Sequence, residues 1–312
     1  MVQKIICIGG ATIDRKLKTR DALELATSNP ASSVTTFGGV AHNVAKNLIQ
    51  LTQPIYLQCV VGNDSEGRDL LSHLKNAGIN TDMSLVRENK TTAHYYAILD
   101  HQGELHLAIA DMEIYDDVPF DSFTQSWCEW HPDDIIFLDT NLPAPLIEHA
   151  ITLSKQKQLT LCIDTVSMAK AKKLPAQLEG VFLIKPDRFE AEVLANRSIH
   201  SIKDCMEAGK VLLQKGVKNV VITLGQSGYV ITNEFGQKHV AAIETKSVVD
   251  VSGAGDAFIA GILYELKKGS SIHSACELGA RAAFLTLQSE RSVSTLKTLT
   301  MKKEDLDHAT IF

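Results

Sequence analysis

Short apolar, β-rich runs recur along the chain with helix-patterned stretches between them. This alternation limits the available folds more than any other feature. The runs cover 4–9, 55–61, 134–139, 159–164, 181–185 and 219–224, and the helical patterns cover 40–51, 65–77, 144–155, 188–195 and 202–215. Such an order predicts βαβ units, and so an α/β chain whose mostly parallel central sheet has helices on both faces. Two stretches break the pattern. One is the polar segment 12–37, which contains Ser28-Asn29-Pro30. The other, 92–110, reads as a hairpin turning at Asp100-His101-Gln102-Gly103. Both are expected to form a small second sheet. The expected division is a core of 1–11, 38–91 and 112–312 with a β-sheet lid of 12–37 and 92–111. Ligands in open α/β sheets bind beyond the carboxyl ends of the strands. A small sheet over that edge could exclude water from the site.

With 312 residues, 45% of them hydrophobic, the chain can bury a large core without disulfides. The formal net charge is -6 and no long basic block stands out, which argues against nucleic acid as a partner. No apolar stretch reaches membrane-spanning length, so no membrane partner is expected. The run 4–10 meets glycine at once and reads as a first buried strand rather than a signal sequence. The six cysteines are scattered without a CxxC pair, as expected of reduced, buried thiols in a cytoplasmic protein.

The most informative segment is Asp250-Val251-Ser252-Gly253-Ala254-Gly255-Asp256-Ala257-Phe258, which runs into helical spacing over 259–268. Glycines at the mouth of a helix let backbone N–H groups approach an anion, and the helix dipole adds positive potential. Asp256 would then lie in the first turn, placed to take a proton from an attacking alcohol. The same pattern also suits a helix that starts with glycines for tight packing. There is no Walker A motif and no protein-kinase HRD or DFG motif.

This segment resembles the DTxGAGD signature of the ribokinase/PfkB family, with Val251 in place of the usual Thr. A second motif of that family is matched by Gly38-Gly39-Val40-Ala41-His42-Asn43-Val44-Ala45, with Asp14 upstream. The resemblance implies a ribokinase-like fold and ATP-dependent phosphorylation of a small sugar or nucleoside. Gly253, Ala254, Gly255 and Asp256 would form the catalytic anion hole and base. Asp14, Gly38, Gly39 and Asn43 would hold sugar hydroxyls. Lys185-Pro186-Asp187-Arg188-Phe189-Glu190 stands where the family carries an NxxE motif. Glu190 and Asp187 would then organise Mg²⁺, although the same residues could simply cap a helix. Lys185 would reach the phosphates or end a strand in solvent. Thr223, Gly225 and Gly228 resemble the nucleotide loop, though they could be ordinary turn residues. The segment 287–294 lies where the family closes over adenine, and Asp250 and Ser292 are the K⁺ candidates. His42 is expected to pack rather than react. Trp127 and Trp130 are expected in the core.

Finer features resemble the pseudouridine-kinase branch of the family. They include Thr91-Thr92-Ala93-His94-Tyr95, Asp139-Thr140-Asn141, Asp164-Thr165-Val166-Ser167 and Lys185-Pro186-Asp187-Arg188. The implied reaction is phosphorylation of a nucleoside 5′-hydroxyl, with Thr92, His94, Asp111 and Asn141 as candidate readers of the base. Ribose, purine nucleosides and keto-deoxy sugar acids stay open as substrates, as does a non-catalytic sensor. Members of the family often pair through their lids. Tyr95, Ile98 and Leu107 are the expected seam of a homodimer here.

Overall fold

A computed structural model describes residues 3–245, 248–289, 292–296 and 299. The main sheet has eight strands. From one edge to the other they run β14 (Gly236–Val240), β13 (Tyr229–Asn233), β12 (Asn219–Thr223), β11 (Val181–Lys185), β10 (Thr160–Asp164), β9 (Ile135–Asp139), β1 (Ile5–Ile8) and β4 (Ile55–Gln58). From β12 to β4 all neighbours are parallel, while β13 and β14 are antiparallel. Alternate residues of the parallel strands face opposite layers. Ile6 and Ile8 pack with Ile147 of α4 (Ala144–Lys157), Ala191 of α6 (Arg188–Ala195) and Ala208 of α7 (Ile202–Gln214). Ile5 and Cys7 pack with Val44 of α1 (Val40–Leu48), Leu70 of α2 (Ser65–Asn76), Ile259 of α8 (Ala254–Lys267) and Cys276 of α9 (Ile272–Leu287). Two covered faces explain why these strands read as continuous apolar runs.

The second sheet has the order β3 (Ala31–Gly38), β2 (Thr12–Thr19), β7 (His94–Leu99) and β8 (Leu105–Asp111). The expected run 55–61 is divided. The Cys59 amide leaves the ladder for Ser84 Oγ at 3.2 Å. Beyond it β5 (Val60–Gly62) pairs with β6 (Leu85–Arg87) in a separate ribbon. Sequence patterning does not reveal β13 and β14: β14 is largely exposed and carries mostly polar residues, while β13 is buried but short and ends in Thr232 and Asn233. Two short α-helices, α3 (Phe120–Thr124) and α5 (Met168–Ala171), and three 3-10 turns complete the described elements. Five cysteines are buried thiols and Cys128 is exposed. Trp127 and Trp130 stack in the core at 4.6 Å.

Candidate active site

Many of the sequence-predicted residues, joined by the buried Asp164 and Asp139, lie along the carboxyl edge of the main sheet, in the order of its strands. Thr223 ends β12, with Gly225 and Gly228 after it; Lys185 ends β11, Asp164 ends β10, and Asp139 ends β9, with Asn141 two residues on. Asp14 lies on β2, just after β1. A cleft of about 780 Å³ opens at the β12 end, between Gly225, Gly228, Gly255 and the apolar side chains Phe258, Phe284 and Leu287. It is large enough for a nucleotide. The segment 287–294 contributes Leu287 here, while residues 290 and 291 lie outside the described residues.

Helix α8 opens at this cleft. Its cap Gly253 has φ 77°, a left-handed conformation, and a Cβ there would fall 2.0 Å from the Ser292 carbonyl oxygen. Only glycine accepts both conditions. The first-turn amides of α8 have no partners within the helix and carry its positive dipole end. Asp256 sits in that first turn, and Asn43 Nδ2 donates to its Oδ2 at 2.8 Å. The Asp256 carboxyl is pushed up to about 7, first by burial and then by the charge of Asp164. The Lys185 ammonium forms a buried 3.0 Å ion pair with Asp164. Burial opposes that ammonium's charge, but Asp164, Glu190 and Asp256 outweigh burial and raise its pKa. A Cβ on Gly255 would lie only 3.6 Å from the Lys185 nitrogen, so the lysine stands beside the helix mouth. It is no solvated strand end.

Glu190 is buried, and its Oε2 accepts from Thr165 Oγ1 at 2.6 Å and from the Asp187 amide at 2.8 Å. Burial, then the nearby Asp164, raises its pKa. Asp187 Oδ1 accepts from the Glu190 amide at 2.8 Å, which completes a capping box. Asp187 and Glu190 thus both cap α6, the alternative the sequence allowed, while both remain near the expected Mg²⁺ position. Among the described residues no three acidic, histidine or cysteine side chains are set to ligate one metal. Mg²⁺ nonetheless suits the donor set. Asp164, Glu190 and Asp256 converge on a single lysine, and the last two are held above their ordinary pKa. Mg²⁺ commonly keeps its waters and needs only one or two carboxylates plus phosphates.

The K⁺ expectation concerns backbone oxygens of the Asp250 region and Ser292; the Asp250 carboxylate itself is engaged elsewhere. Lys16 Nζ of β2 lies 2.9 Å from Oδ2, and the Ser252 amide donates to Oδ1 at 2.8 Å. A tethered ammonium already holds that position. The Ser292 carbonyl packs on Gly253.

At the other end, Asp14 accepts from Thr12 Oγ1 at 2.6 Å, and burial raises its pKa. Gly38 lies so close that a Cβ would be 2.0 Å from Asp14 Oδ2. Asn43 has a second duty beyond the expected contact with sugar, since it holds Asp256. His42 orients it, with Nδ1 3.0 Å from Asn43 Oδ1. Burial drives the His42 imidazole down to about 4, so it is neutral and Nδ1 donates. Sequence reasoning missed this positioning role. It also missed Asp139, a buried carboxylate that accepts from the amides of Gly10 at 2.8 Å, Ala41 at 2.9 Å and Asn141 at 2.9 Å. An Asp at the end of an apolar strand was the available signal.

Of the candidate base readers, Asn141 lies in the site, with its Oδ1 accepting from Lys170 Nζ. Thr92 does not face the cleft. It is buried, its hydroxyl donating to Asp64 Oδ1 at 2.8 Å and accepting from the Gly62 amide at 3.0 Å. His94 is buried against Glu66, with Nε2 2.8 Å from Oε2. Asp111 is exposed at the end of β8. Tyr95 is set apart from the expected seam. Ile98 faces Leu107 across the β7–β8 pair, while Tyr95, three residues away, points to the other side of the sheet.

An anion-binding helix mouth with a carboxylate poised near neutrality and a lysine beside it defines a phosphotransferase with an alcohol acceptor. Residues 2–299 match the pfkB family of carbohydrate kinases, and the chain belongs to that family. It is 30% identical to pseudouridine kinase of Escherichia coli over 258 residues, 83% of this chain and 82% of the relative. It is 28% identical to guanosine-inosine kinase of Exiguobacterium acetylicum, with 90% and 93% covered. A solved carbohydrate kinase from Agrobacterium tumefaciens superposes with a TM-score of 0.80 at 27% identity, covering 95% of each chain.

Proposed function

We propose that this kinase transfers the γ-phosphoryl group of ATP to the 5′-hydroxyl of pseudouridine, in the cytoplasm. The observation that carries the chemistry is the Asp256 carboxyl, pushed up to about 7 beside the amides of α8 and held by Asn43. A base is most effective when its pKa lies near the working pH. Asp256 takes the proton of the substrate hydroxyl as its oxygen bonds to the γ-phosphorus. The bond from that phosphorus to the β–γ bridging oxygen breaks, and ADP leaves. The first-turn amides of α8 and Lys185 stabilise charge on the phosphoryl oxygens. Glu190 and Asp164 would hold Mg²⁺, which when bound would supply charge neutralisation at the phosphates. Asp14, Gly38, Gly39 and Asn43 hold the ribose. Segments 12–37 and 92–111 act as the lid that keeps water from ATP.

For the substrate, support comes from the 30% identity to a pseudouridine kinase and from the polar Asn141 beside the sugar-side Gly10. A purine nucleoside is the second reading, favoured by the guanosine-inosine kinase relative. The exposed apolar residues Leu105, Leu107 and Ile109 of β8 suit a homodimer formed through the lid.

Coupled ADP release with Mg-ATP, measured on pseudouridine, uridine, ribose, inosine, guanosine and adenosine, tests the reading. Turnover on pseudouridine well above the others is expected. A preference for inosine or guanosine would replace the substrate, and release with none of the six would remove the nucleoside reading.

A further inference from the structure

Lys170 stands beside Asn141, next to the sugar-side glycines, and has no part in the roles above. It lies on α5, directly after the turn Thr165-Val166-Ser167. Val166 has φ 59°, a conformation that a β-branched residue rarely adopts. Three hydrogen bonds hold the turn there. The Val166 amide donates to Asp164 Oδ1 at 2.9 Å, Thr140 Oγ1 donates to the Thr165 carbonyl at 2.7 Å, and Ser167 Oγ accepts from the Lys170 amide at 3.3 Å. The strained turn fixes where α5 starts and so where Lys170 projects.

Its ammonium donates to Asn141 Oδ1. Asn141 in turn presses on Gly10, where a Cβ would lie 2.4 Å from Nδ2. A Cβ on Gly39 would lie 2.5 Å from the Gly10 carbonyl, and Gly38 abuts Asp14. These contacts form one continuous wall from the sugar-side carboxylate to the ammonium. An ammonium has three N–H donors, and Asn141 takes one of them. Lys173 is differently placed, since its ammonium donates to the carbonyls of Asn141 at 3.1 Å and Leu142 at 3.2 Å. Burial, only partly offset by Asp139, lowers the pKa of Lys170. A further acceptor would therefore be favourable there.

We infer that Lys170 is a specificity-determining residue whose ammonium donates to an acceptor oxygen on the group attached to the sugar, such as a nucleobase carbonyl. The inference rests on the proposed function and names the residue that would read the base. A substrate that lacks such an oxygen would leave this donor in a half-buried wall with only Asn141.

The test compares Lys170→Met and Lys170→Arg with the unaltered enzyme. The substrates are pseudouridine and 1,4-anhydro-D-ribitol, which keeps the sugar hydroxyls and lacks the base. In Lys170→Met the ratio of kcat/KM for the nucleoside over that for the anhydro sugar should fall about 10- to 100-fold, the range for a hydrogen bond to a charged group. Most of the fall should appear in KM, and Lys170→Arg should recover part of it. Equal losses on both compounds would mean that Lys170 only supports Asn141, and an unchanged ratio would remove it from recognition; either overturns the inference. If the enzyme prefers another compound, the ratio is measured with that compound. A carbonyl- or carboxylate-bearing substrate that loses its advantage in Lys170→Met keeps the inference and discards pseudouridine. A preferred substrate without such an oxygen overturns both.

Discussion

In the main sheet, β1 and β9 are buried at every position, whereas every residue of β8 in the second sheet is exposed. Charge follows the same division. Asp164, Lys185, Glu190 and Asp139 lie beneath the carboxyl edge of the main sheet, each buried. The second sheet instead attaches to the core through half-exposed pairs. Arg15 meets Glu66 at 2.5 Å, Lys16 meets Asp250 at 2.9 Å, and only His94, also on Glu66, is buried. Buried charges that share a low-dielectric site shift one another strongly, while exposed pairs contribute little. The core thus supplies stability and tuned chemistry. Half-exposed pairs of this kind suit the cover proposed for the second sheet.

The contrast can be broken most forcefully at Asp256. Asp256→Asn should lower kcat by about 10²- to 10⁴-fold, read from initial rates at saturating substrate. The same change should raise the melting temperature at pH 8. A carboxyl raised to about 7 in the fold contributes stability below its unfolded value that is lost as the pH rises through 7. The gain from removing it should therefore shrink as the pH falls from 8 toward 4. A variant that loses stability at pH 8 would show that the carboxylate is not strained there.

Glu66→Ala should separate the two regions next. It frees both Arg15 and His94 of the second sheet at once. Thermal melts should show a loss of about 1 kcal/mol, while KM for the alcohol substrate rises more than kcat falls. An unchanged KM would mean that the sheet is positioned without this anchor.

Leu107→Lys should have the smallest effect on the fold. Leu107 is 49% exposed, and substitutions at such positions usually change stability by about 0.5 kcal/mol or less. Sedimentation should show a shift toward monomer if the second sheets pair. A monomeric parent protein would remove the homodimer from the proposed function.

Much of the fold was legible because two-sided burial writes itself into sequence. The runs that became β1, β9, β10, β11 and β12 are apolar since both of their faces are covered. The glycine motif at Gly253 and the Gly38-Gly39 pair were legible because close approach leaves no other residue. The strands β13 and β14 were not: the edge strand β14 is largely exposed and mostly polar, and β13, although buried, is a short run that ends in Thr232 and Asn233. Thr92 was misplaced for a related reason, as a threonine beside a strand looks the same whether its hydroxyl faces a ligand or a buried Asp64.

The sequence by itself determined an α/β kinase scaffold, the helix mouth at Gly253–Asp256 and the glycines that bring the sugar-side residues close. Only the tertiary structure decided which charges share a site. It brought Asp164 and Asp256, 92 positions apart, near enough for one to raise the other's pKa, put Lys16 on Asp250, and seated Lys170 beside Asn141. Local residue patterns record burial and backbone conformation. Electrostatic coupling depends on distances through space, and only the folded chain sets those.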